Sequence, residues 1–457
     1  MIENYAAEGK SLARQDGKVI FVENVVPGDR VDIRLSKNKK DWAEGYPVEF
    51  RSYSKERVQP FCQHFGVCGG CQWQMLPYEK QLQYKQQQVI DNLTRIGKVK
   101  LPEIMPIAGS QENTFYRNKL EYTFSTKEFL VEGEFDKNDR EKSLHNVLGF
   151  HAKGFFDKVV DIYKCWLLKE PNNEIRNAIR NYAYDQQLSF YDYREHRGLL
   201  RNLQFRFCTT GELMVNLVLG ADDPGPTKKL LQFVQARFPE ITTLLYTVNT
   251  KHNDAIHDLE PVVYSGPGYV VEKLEDFLFK IGPKSFFQTN TRQAETLYSI
   301  TRTFAELTGS QTLYDLYCGT GSIGIFCSRG ARRIVGVELN DAAIEDAKQN
   351  AAMNHIADSH FYSGDVIDVC DEDLFQRHGR PDVIITDPPR AGMHEKLTRK
   401  ILEIGSPLVV YVSCNPATQA RDLHLLDEQY EVTKVQPVDM FPHTHHIENI
   451  VQLKKRQ

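Results

Sequence analysis

A cysteine at the end of a predicted buried strand is the first candidate for chemistry in this sequence. Residues 408–416 read LVVYVSCNP, an apolar and β-branched run that predicts a fully buried strand. Asn415 and Pro416 end it, because a proline cannot donate to a sheet ladder and disfavours helical geometry in the preceding residue. Cys414 is therefore predicted at the carboxyl edge of an α/β sheet, where ligands bind. The alternative is an unreactive cysteine that packs as a small hydrophobe.

A carboxylate follows a second predicted strand. Residues 382–390 read DVIITDPPR, in which an apolar strand stops at Asp387 and two prolines. Such a turn holds a carboxylate and rigid backbone carbonyls where polar or planar groups can bind. Because the carboxyl ends of parallel strands meet at one edge of a sheet, Cys414 and Asp387 are predicted to face one crevice.

A glycine-rich loop upstream adds a nucleotide-binding pattern. Residues 312–326 read TLYDLYCGTGSIGIF, a predicted strand that runs through Gly319, Gly321 and Gly324 into a helix. The next predicted strand, 332–339, carries Glu338, which is placed to accept hydrogen bonds from ribose hydroxyls. Alone, this pattern fits a dinucleotide site equally well. Further strands are predicted at 360–362, 382–386, 408–413, 430–438 and 447–453.

Three cysteines lie close together in an earlier, glycine-containing loop. They are Cys62, Cys68 and Cys71, and Cys165 is the best candidate for a fourth thiol. Zinc prefers two Cys-x-x-Cys pairs. The wide first gap and the distant fourth thiol suit an iron–sulfur cluster at least as well. Unliganded structural cysteines are the remaining alternative.

The composition is that of a globular protein with several domains. A chain of 457 residues, 41% hydrophobic and 26% charged, is long enough for two to four domains. It has no apolar run that could cross a bilayer and no signal-peptide pattern, so we expect a cytoplasmic protein. Nine cysteines, several closely spaced, favour metal or catalytic use over disulfides. The net charge of -5 argues against binding nucleic acid through bulk charge, but allows a local basic groove.

The first 58 residues alternate β-like segments with turn signals. Strands are predicted at 18–22, 30–35 and 46–50, which is typical of a small OB-type barrel. The sequences GK at 9–10, DGKV at 16–19, FV at 21–22 and PGDRV at 27–31 closely resemble a TRAM domain, an RNA-binding barrel found on RNA-modifying enzymes. Between strands, KNKKDW at 37–42 is predicted as a basic loop that is either solvated or bound to RNA.

The rest of the chain divides into two predicted regions. Residues 59–270 predict a mixed α and β region, with helices at 77–97 and 172–188 and a hairpin formed by 198–207 and 212–220. In it, YRNKLE at 116–121 is either a solvated face or a cluster that reaches phosphates or a base. The seven strands predicted after residue 271 resemble the sheet of class I S-adenosylmethionine-dependent methyltransferases, which closes with an antiparallel strand at one edge.

Three motifs extend this resemblance to one family: DPPR at 387–390, SCNP at 413–416 and FPHTHHIE at 441–448. Together they resemble the RNA uracil-5 methyltransferases, and the match covers essentially the whole chain. The resemblance implies a multidomain α/β fold. Its expected parts are a TRAM-type OB barrel at 1–58, a central α+β iron–sulfur and substrate-facing domain at 59–270, and a methyltransferase domain with a Rossmann-like seven-stranded sheet at 271–457.

The implied reaction is methylation of C5 of uridine, with S-adenosylmethionine as the methyl donor. C5 is a poor nucleophile, so Cys414 is expected to add to C6 first, and Glu448 to remove the C5 proton after methylation. The alternative for Glu448 is a surface carboxylate before a strand. The cofactor-binding residues implied are Gln288, Tyr317, Glu338, Asp365 and Asp387, with Ser322 a weaker candidate. A [4Fe–4S] cluster is implied on Cys62, Cys68, Cys71 and Cys165.

The implied partner is RNA, with 23S ribosomal RNA as the expected substrate and the T-loop uridine of transfer RNA as the alternative. A monomer without a membrane partner is expected. His443, His445 and His446 are interpreted as part of the turn that places Glu448, because no acid or thiol completes a ligand set. Two other functions stay open. One is small-molecule or amine methylation, although Arg390 stands where such motifs usually carry an aromatic; the other is a non-catalytic RNA-binding or iron–sulfur sensor protein.

Overall fold

Four β-sheets follow one another along the chain. The computed structural model describes residues 1–131 and 145–457; residues 132–144, inside the predicted central region, lie outside the described residues. All nine cysteines are free thiols. No helix in the described part of the chain is long and apolar enough to span a membrane.

The first sheet has five strands around a small apolar core. They are β1 (Asn4–Tyr5), β2 (Ser11–Gln15), β3 (Lys18–Val22), β4 (Arg30–Asn38) and β5 (Trp42–Ser52), in the order β1-β2-β3-β5-β4. The three predicted strands are confirmed, but the loop predicted at 37–42 is wrong. The β4–β5 ladder continues to the pair Asn38–Ala43, so only residues 39–41 form the turn.

The second sheet is a mixed one of seven strands. The elements from here to the third sheet are α1 (Tyr78–Asn92), β6 (Lys119–Ser125), β7 (Val147–His151), β8 (Val159–Asp161), α2 (Asn172–Asp185), β9 (Leu200–Phe207), β10 (Leu213–Leu219), α3 (Pro224–Arg237), β11 (Thr243–Val248) and β12 (Val262–Ser265). The order is β12-β11-β10-β9-β6-β7-β8. The predicted helices and hairpin are confirmed. Sequence reasoning missed α3, because its opening residues, PGP, are also turn residues.

A two-stranded sheet, β13 (Val270–Leu274) with β14 (Phe277–Ile281), leads into the last one. The remaining elements are α4 (Thr291–Phe304), β15 (Thr312–Leu316), α5 (Ser322–Cys327), β16 (Arg333–Glu338), α6 (Asp341–Met353), β17 (Ser359–Ser363), α7 (Val366–Val369), α8 (Glu372–His378), β18 (Val383–Thr386), α9 (Glu395–Ile404), β19 (Leu408–Ser413), α10 (Pro416–Leu426), β20 (Tyr430–Val438) and β21 (Glu448–Lys455). All seven predicted strands are present.

The last sheet has the order β17-β16-β15-β18-β19-β21-β20, and β15 to β19 pair in parallel. The antiparallel strand β21 lies between β19 and β20, so the expectation that it would form the edge is wrong. The burial pattern explains the order. The first six residues of β21 are all buried and need neighbours on both sides, whereas β20 mixes buried residues with partly or fully exposed ones.

Candidate active site

Strand register brings the predicted catalytic residues to one edge of the last sheet. Cys414 directly follows the parallel strand β19, and Glu448 begins the antiparallel strand β21. Ser413 pairs with Asn449 across these two strands. Extended one residue beyond this last pair, the register sets Cys414 opposite Glu448, whose charge acts on the Cys414 thiol. Asp387 directly follows the next strand, β18.

The two strand-end turns are tied together by a helix cap. The side chain of Asn415 accepts a hydrogen bond from the Ala417 N–H (3.1 Å) and so caps α10. The same side chain donates to the Arg390 carbonyl (3.1 Å), which the Thr418 hydroxyl also contacts (3.3 Å). The SCNP turn is thereby held against the DPPR turn.

The environment of Cys414 favours the thiol over the thiolate. Burial, together with the negative charges of Glu448 and Asp387, raises its pKa to about 12. The Arg390 guanidinium acts in the opposite direction and lowers the pKa. Arg390 is thus a cation that favours the Cys414 thiolate, a role that the sequence analysis did not assign to it. Its position in the DPPR motif could have indicated this role.

Asp387 and Glu448 form a pair of carboxyl groups that no cation of the described residues pairs with. Burial raises the pKa of both, and the charge of Asp387 raises the pKa of Glu448 further. Glu448 is only 5% exposed, so the surface alternative for it is wrong. Neither side chain has an ion pair or hydrogen bond to another group among residues 1–131 and 145–457. An uncompensated carboxyl of this kind binds a proton readily.

Glu338 lies against the glycine-rich turn. Its carboxylate accepts hydrogen bonds from the Gly319 N–H (3.2 Å) and from the Asn340 N–H (3.0 Å). Tyr317 has a left-handed backbone with φ of 63° and directly follows β15, next to β16. Burial raises the pKa of Tyr317, as do the charges of Asp365 and Glu338, so these three predicted cofactor residues lie near one another.

The other predicted cofactor residues differ in how they are held. Asp365 caps α7 by accepting the Ile367 N–H (2.9 Å), and Ser322 contacts the Tyr298 hydroxyl (3.0 Å). Gln288 is buried, and its backbone carbonyl accepts a hydrogen bond from the Asn118 side chain (2.9 Å). Asn118 is itself buried, so the cluster at 116–121 is not simply a solvated face.

Asp315 is a polar residue of this site that the sequence reasoning missed. It lies in the buried strand β15, where Oδ2 accepts the Gly324 N–H (2.8 Å), and Oδ1 is buried with no hydrogen-bond partner among the described residues. Burial raises its pKa to about 7, and the charges of Asp387 and Glu338 act in the same direction. An acid inside an otherwise apolar strand, directly before the glycine-rich turn, could have indicated that Asp315 belongs to the site.

The four predicted ligand cysteines line one cavity of about 320 Å³. Burial, with a smaller contribution from the charges of the other three cysteines, raises the pKa of Cys68 to about 12, so the four thiols lie near one another. Asn173 fixes Cys165 by accepting its N–H (2.7 Å) and donating to its carbonyl (3.2 Å). Within the described residues, no three His, Cys, Asp or Glu side chains are grouped so as to hold one metal ion. The same cavity is lined by Arg117, Lys119, Glu121, Lys164, Trp166 and Thr289.

Comparison with known proteins gives the family. A family model described as tRNA (Uracil-5-)-methyltransferase matches residues 267–456. Proteins named "Uncharacterized RNA methyltransferase" are 54% identical in Bacteroides thetaiotaomicron, over 99% of this chain and 100% of theirs, and 50% identical in Porphyromonas gingivalis, over 99% and 98%. The crystal structure of Pyrococcus abyssi tRNA (uracil-54, C5)-methyltransferase in complex with S-adenosyl-L-homocysteine is 26% identical, with a TM-score of 0.76 over 99% of both chains. The chain therefore belongs to the RNA uracil-5 methyltransferase family and is an RNA methyltransferase.

Proposed function

We propose that this protein methylates C5 of a specific uridine in 23S ribosomal RNA through a covalent bond between Cys414 and C6 of the base. The observation that carries the proposal is the register that sets Cys414 opposite the buried, uncompensated Glu448. A nucleophile and a proton acceptor on opposite sides of one crevice are what substitution at C5 requires. Membership of an RNA methyltransferase family supports this proposal over the small-molecule and non-catalytic alternatives.

The chain's own residues supply the covalent steps. The Cys414 sulfur bonds to C6, and the electron pair of the C5–C6 double bond makes C5 nucleophilic. After C5 has accepted the methyl group, Glu448 takes the C5 proton, the double bond re-forms and the bond to sulfur breaks. Arg390 favours the Cys414 thiolate in the first step. The raised pKa of Glu448 suits it to accept the proton in the last step.

S-adenosylmethionine would supply the methyl group from its sulfonium centre. The residues proposed to hold it are Gln288, Tyr317, Glu338, Asp365 and Asp387, with Ser322 beside them. Two features support this choice: the carboxylate of Glu338 lies against the glycine-rich turn, and the similar Pyrococcus abyssi enzyme was crystallised with S-adenosyl-L-homocysteine. The uncompensated carboxyl groups are also suited to a cationic ligand.

We also propose that Cys62, Cys68, Cys71 and Cys165 hold a [4Fe–4S] cluster. Four thiols that line one cavity fit the ligand set of such a cluster. The protein's part is then to position the four sulfurs through local hydrogen bonds, as Asn173 does for Cys165.

The proposed domains are a TRAM-type barrel at 1–58, a central iron–sulfur domain at 59–270 and a methyltransferase domain at 271–457. The succession of separate sheets supports this division. The combination of barrel and cysteine loop favours 23S ribosomal RNA, whereas the name of the Pyrococcus abyssi enzyme favours uridine 54 of transfer RNA as the alternative. The cytoplasmic location and the monomeric state stay predictions.

The test is a trapping experiment with 5-fluorouridine. RNA fragments that carry this base are incubated with the protein and S-adenosylmethionine, and a denaturant-stable adduct is sought on a gel. Because fluorine cannot leave C5 as a proton does, we expect an adduct that Cys414→Ala abolishes. An adduct with transfer RNA alone would change the substrate and keep the mechanism. No adduct with either RNA, despite bound cofactor, would overturn the proposal.

A further inference from the structure

The loop that leads into Glu448 is held by the central part of the chain. We name residues 439–447, between β20 and β21, the base loop. Helix α1 and the segment that follows the cysteine loop contact it along its length, although they are more than 350 residues away in sequence. The structure assigns to these contacts a role in positioning Glu448 for removal of the C5 proton. This inference rests on the proposed function.

The start of the base loop is anchored by a buried ion pair. Lys85 Nζ of α1 lies 2.6 Å from Asp439 Oδ1, and neither side chain is exposed to solvent. The Tyr78 hydroxyl donates to Asp439 Oδ2 (2.8 Å), and Lys85 also donates to the Phe441 carbonyl (3.1 Å). The ion pair is therefore completed by further hydrogen bonds, the condition under which a buried pair is tolerated.

The middle of the base loop is held through its backbone. His443 N–H donates to Gln81 Oε1 (2.8 Å), and the His443 carbonyl accepts from the N–H groups of Gln72 (2.8 Å) and Trp73 (3.0 Å). Gln81 Nε2 also lies 3.1 Å from His443 Nδ1. His443 has a φ of 65°, a left-handed conformation that non-glycine residues rarely adopt without support. The contacts from the central region provide that support.

The end of the base loop contacts the residue that follows Cys71. Gln72 Oε1 accepts the His445 N–H (3.3 Å) and lies 2.8 Å from His445 Nδ1. On the opposite side, α4 of the last sheet region holds the loop start, because Gln293 donates to the Asp439 carbonyl (2.7 Å). The loop that leads to Glu448 is therefore held at its start by α4 and near its end by Gln72.

A shift of this loop would have a specific kinetic consequence. Gln81 and Lys85 have no hydrogen bond to Cys414 or Glu448 in the described structure, so they are positioning residues. Cys414 directly follows β19, in a turn that Asn415 holds through contacts of its own, so it should keep its place without them. Loosening the loop should slow only the last step, in which Glu448 takes the proton and sulfur leaves. The methylated covalent adduct should then accumulate on ordinary uridine RNA.

The experiment compares two glutamines of α1 in the full-length protein. Gln81→Met removes, at similar volume, the hydrogen bonds to His443 and those that Gln81 Nε2 donates to the Trp73 and Leu76 carbonyls (both 3.0 Å). Gln87→Met is the control on the same helix, because the exposed Gln87 side chain hydrogen-bonds, within the described residues, to Asp91 alone (3.0 Å). For Gln81→Met we expect kcat to fall about tenfold to a hundredfold, with an unchanged KM for S-adenosylmethionine. A denaturant-stable adduct should appear on ordinary RNA, while the adduct with 5-fluorouridine RNA should form at the rate of the parent protein. Gln87→Met should behave like the parent.

Two results would overturn the inference. One is wild-type turnover by Gln81→Met without an adduct on ordinary RNA. The other is an equal loss of turnover and of 5-fluorouridine adduct formation, since the loop would then shape the whole site. If Gln81→Met does not fold, Tyr78→Phe removes one hydroxyl from Asp439 and is judged by the same criteria. Failure of the parent protein to form a 5-fluorouridine adduct would instead contradict the proposed function.

Discussion

Two buried carboxyl groups at opposite ends of the base loop have opposite environments. Asp439 is fully buried and has an ion pair with Lys85, a hydrogen bond from the Tyr78 hydroxyl and one from the Phe441 N–H. Glu448 is also buried, but the charge that acts on it is that of another carboxyl group, Asp387, which raises its pKa together with burial. Burial alone therefore does not define the role of an acid. Its partners decide whether it anchors the chain or accepts a proton.

The difference follows from what each end of the loop must do. An anchor is most effective when it is charged and all of its lone pairs are satisfied, because any change of protonation would then cost free energy. A base must instead be able to change its protonation state, which a neighbouring cation would oppose. The loop thus separates a rigid acid from a reactive one within nine residues of sequence.

The largest effect is expected at the reactive end. Glu448→Gln keeps the shape of the side chain but cannot take the C5 proton, so turnover should fall about a thousandfold. The covalent RNA adduct should accumulate, and thermal stability should not fall, because no charge is left without a partner. Turnover and gel analysis of the adduct measure this. Glu431→Gln, at an exposed position on β20, is the control, and turnover by Glu448→Gln equal to that of the control would exclude Glu448 as the base.

The next effect is expected at the anchoring end and concerns stability. Lys85→Met leaves the carboxylate of Asp439 buried without its cation, which should cost about 3–5 kcal/mol. The double variant Lys85→Met with Asp439→Leu should regain most of this loss, because an apolar pair can replace a buried ion pair. Thermal unfolding of both variants measures the difference. Equal losses in the two variants would mean that packing, rather than the unpaired charge, causes the effect.

A smaller effect is expected in the dependence of stability on pH. The pKa of Asp387 is raised to about 7 in the folded protein, from an ordinary value of 3.8. Between these values the folded state binds more protons than the unfolded state, so stability should fall as pH rises from about 4 to 7. Asp387→Asn removes this contribution and should flatten the fall in melting temperature. An unchanged pH profile would show that Asp387 is already ionised in the folded protein.

The same contrast explains how far the sequence could predict the site. Cys414, Asp387 and Glu338 were predictable because each belongs to a strand-end pattern, and strand ends of a parallel sheet converge. Glu448 depended on family resemblance, because an acid before a strand looks like a surface residue until the neighbouring strands are known. Its burial results from the insertion of β21 between β19 and β20.

The anchoring end could not have been predicted from sequence patterns. Lys85 and Asp439 are 354 residues apart, and each lies in an ordinary setting, a polar helix and a loop. Only the packing of α1 against the base loop makes them partners. The prediction of the strand order at the edge of the last sheet was wrong for a similar reason. The pattern of apolar and polar residues within a strand does not specify which strand will be its neighbour.

The smallest effect is expected for an ion pair that differs from Lys85–Asp439 mainly in burial. Arg399 and Glu395 pair on the surface of α9 at 2.8 Å, and each side chain is 60% exposed. Arg399→Ala should change stability by no more than about 0.5 kcal/mol, because water and salt already screen the pair. Raising the salt concentration to about 1 M should erase that change and leave the loss caused by Lys85→Met, since buried charges are screened far less. Thermal unfolding at both salt concentrations measures this. Comparable losses for the two variants would mean that burial is not what gives the Lys85–Asp439 pair its effect.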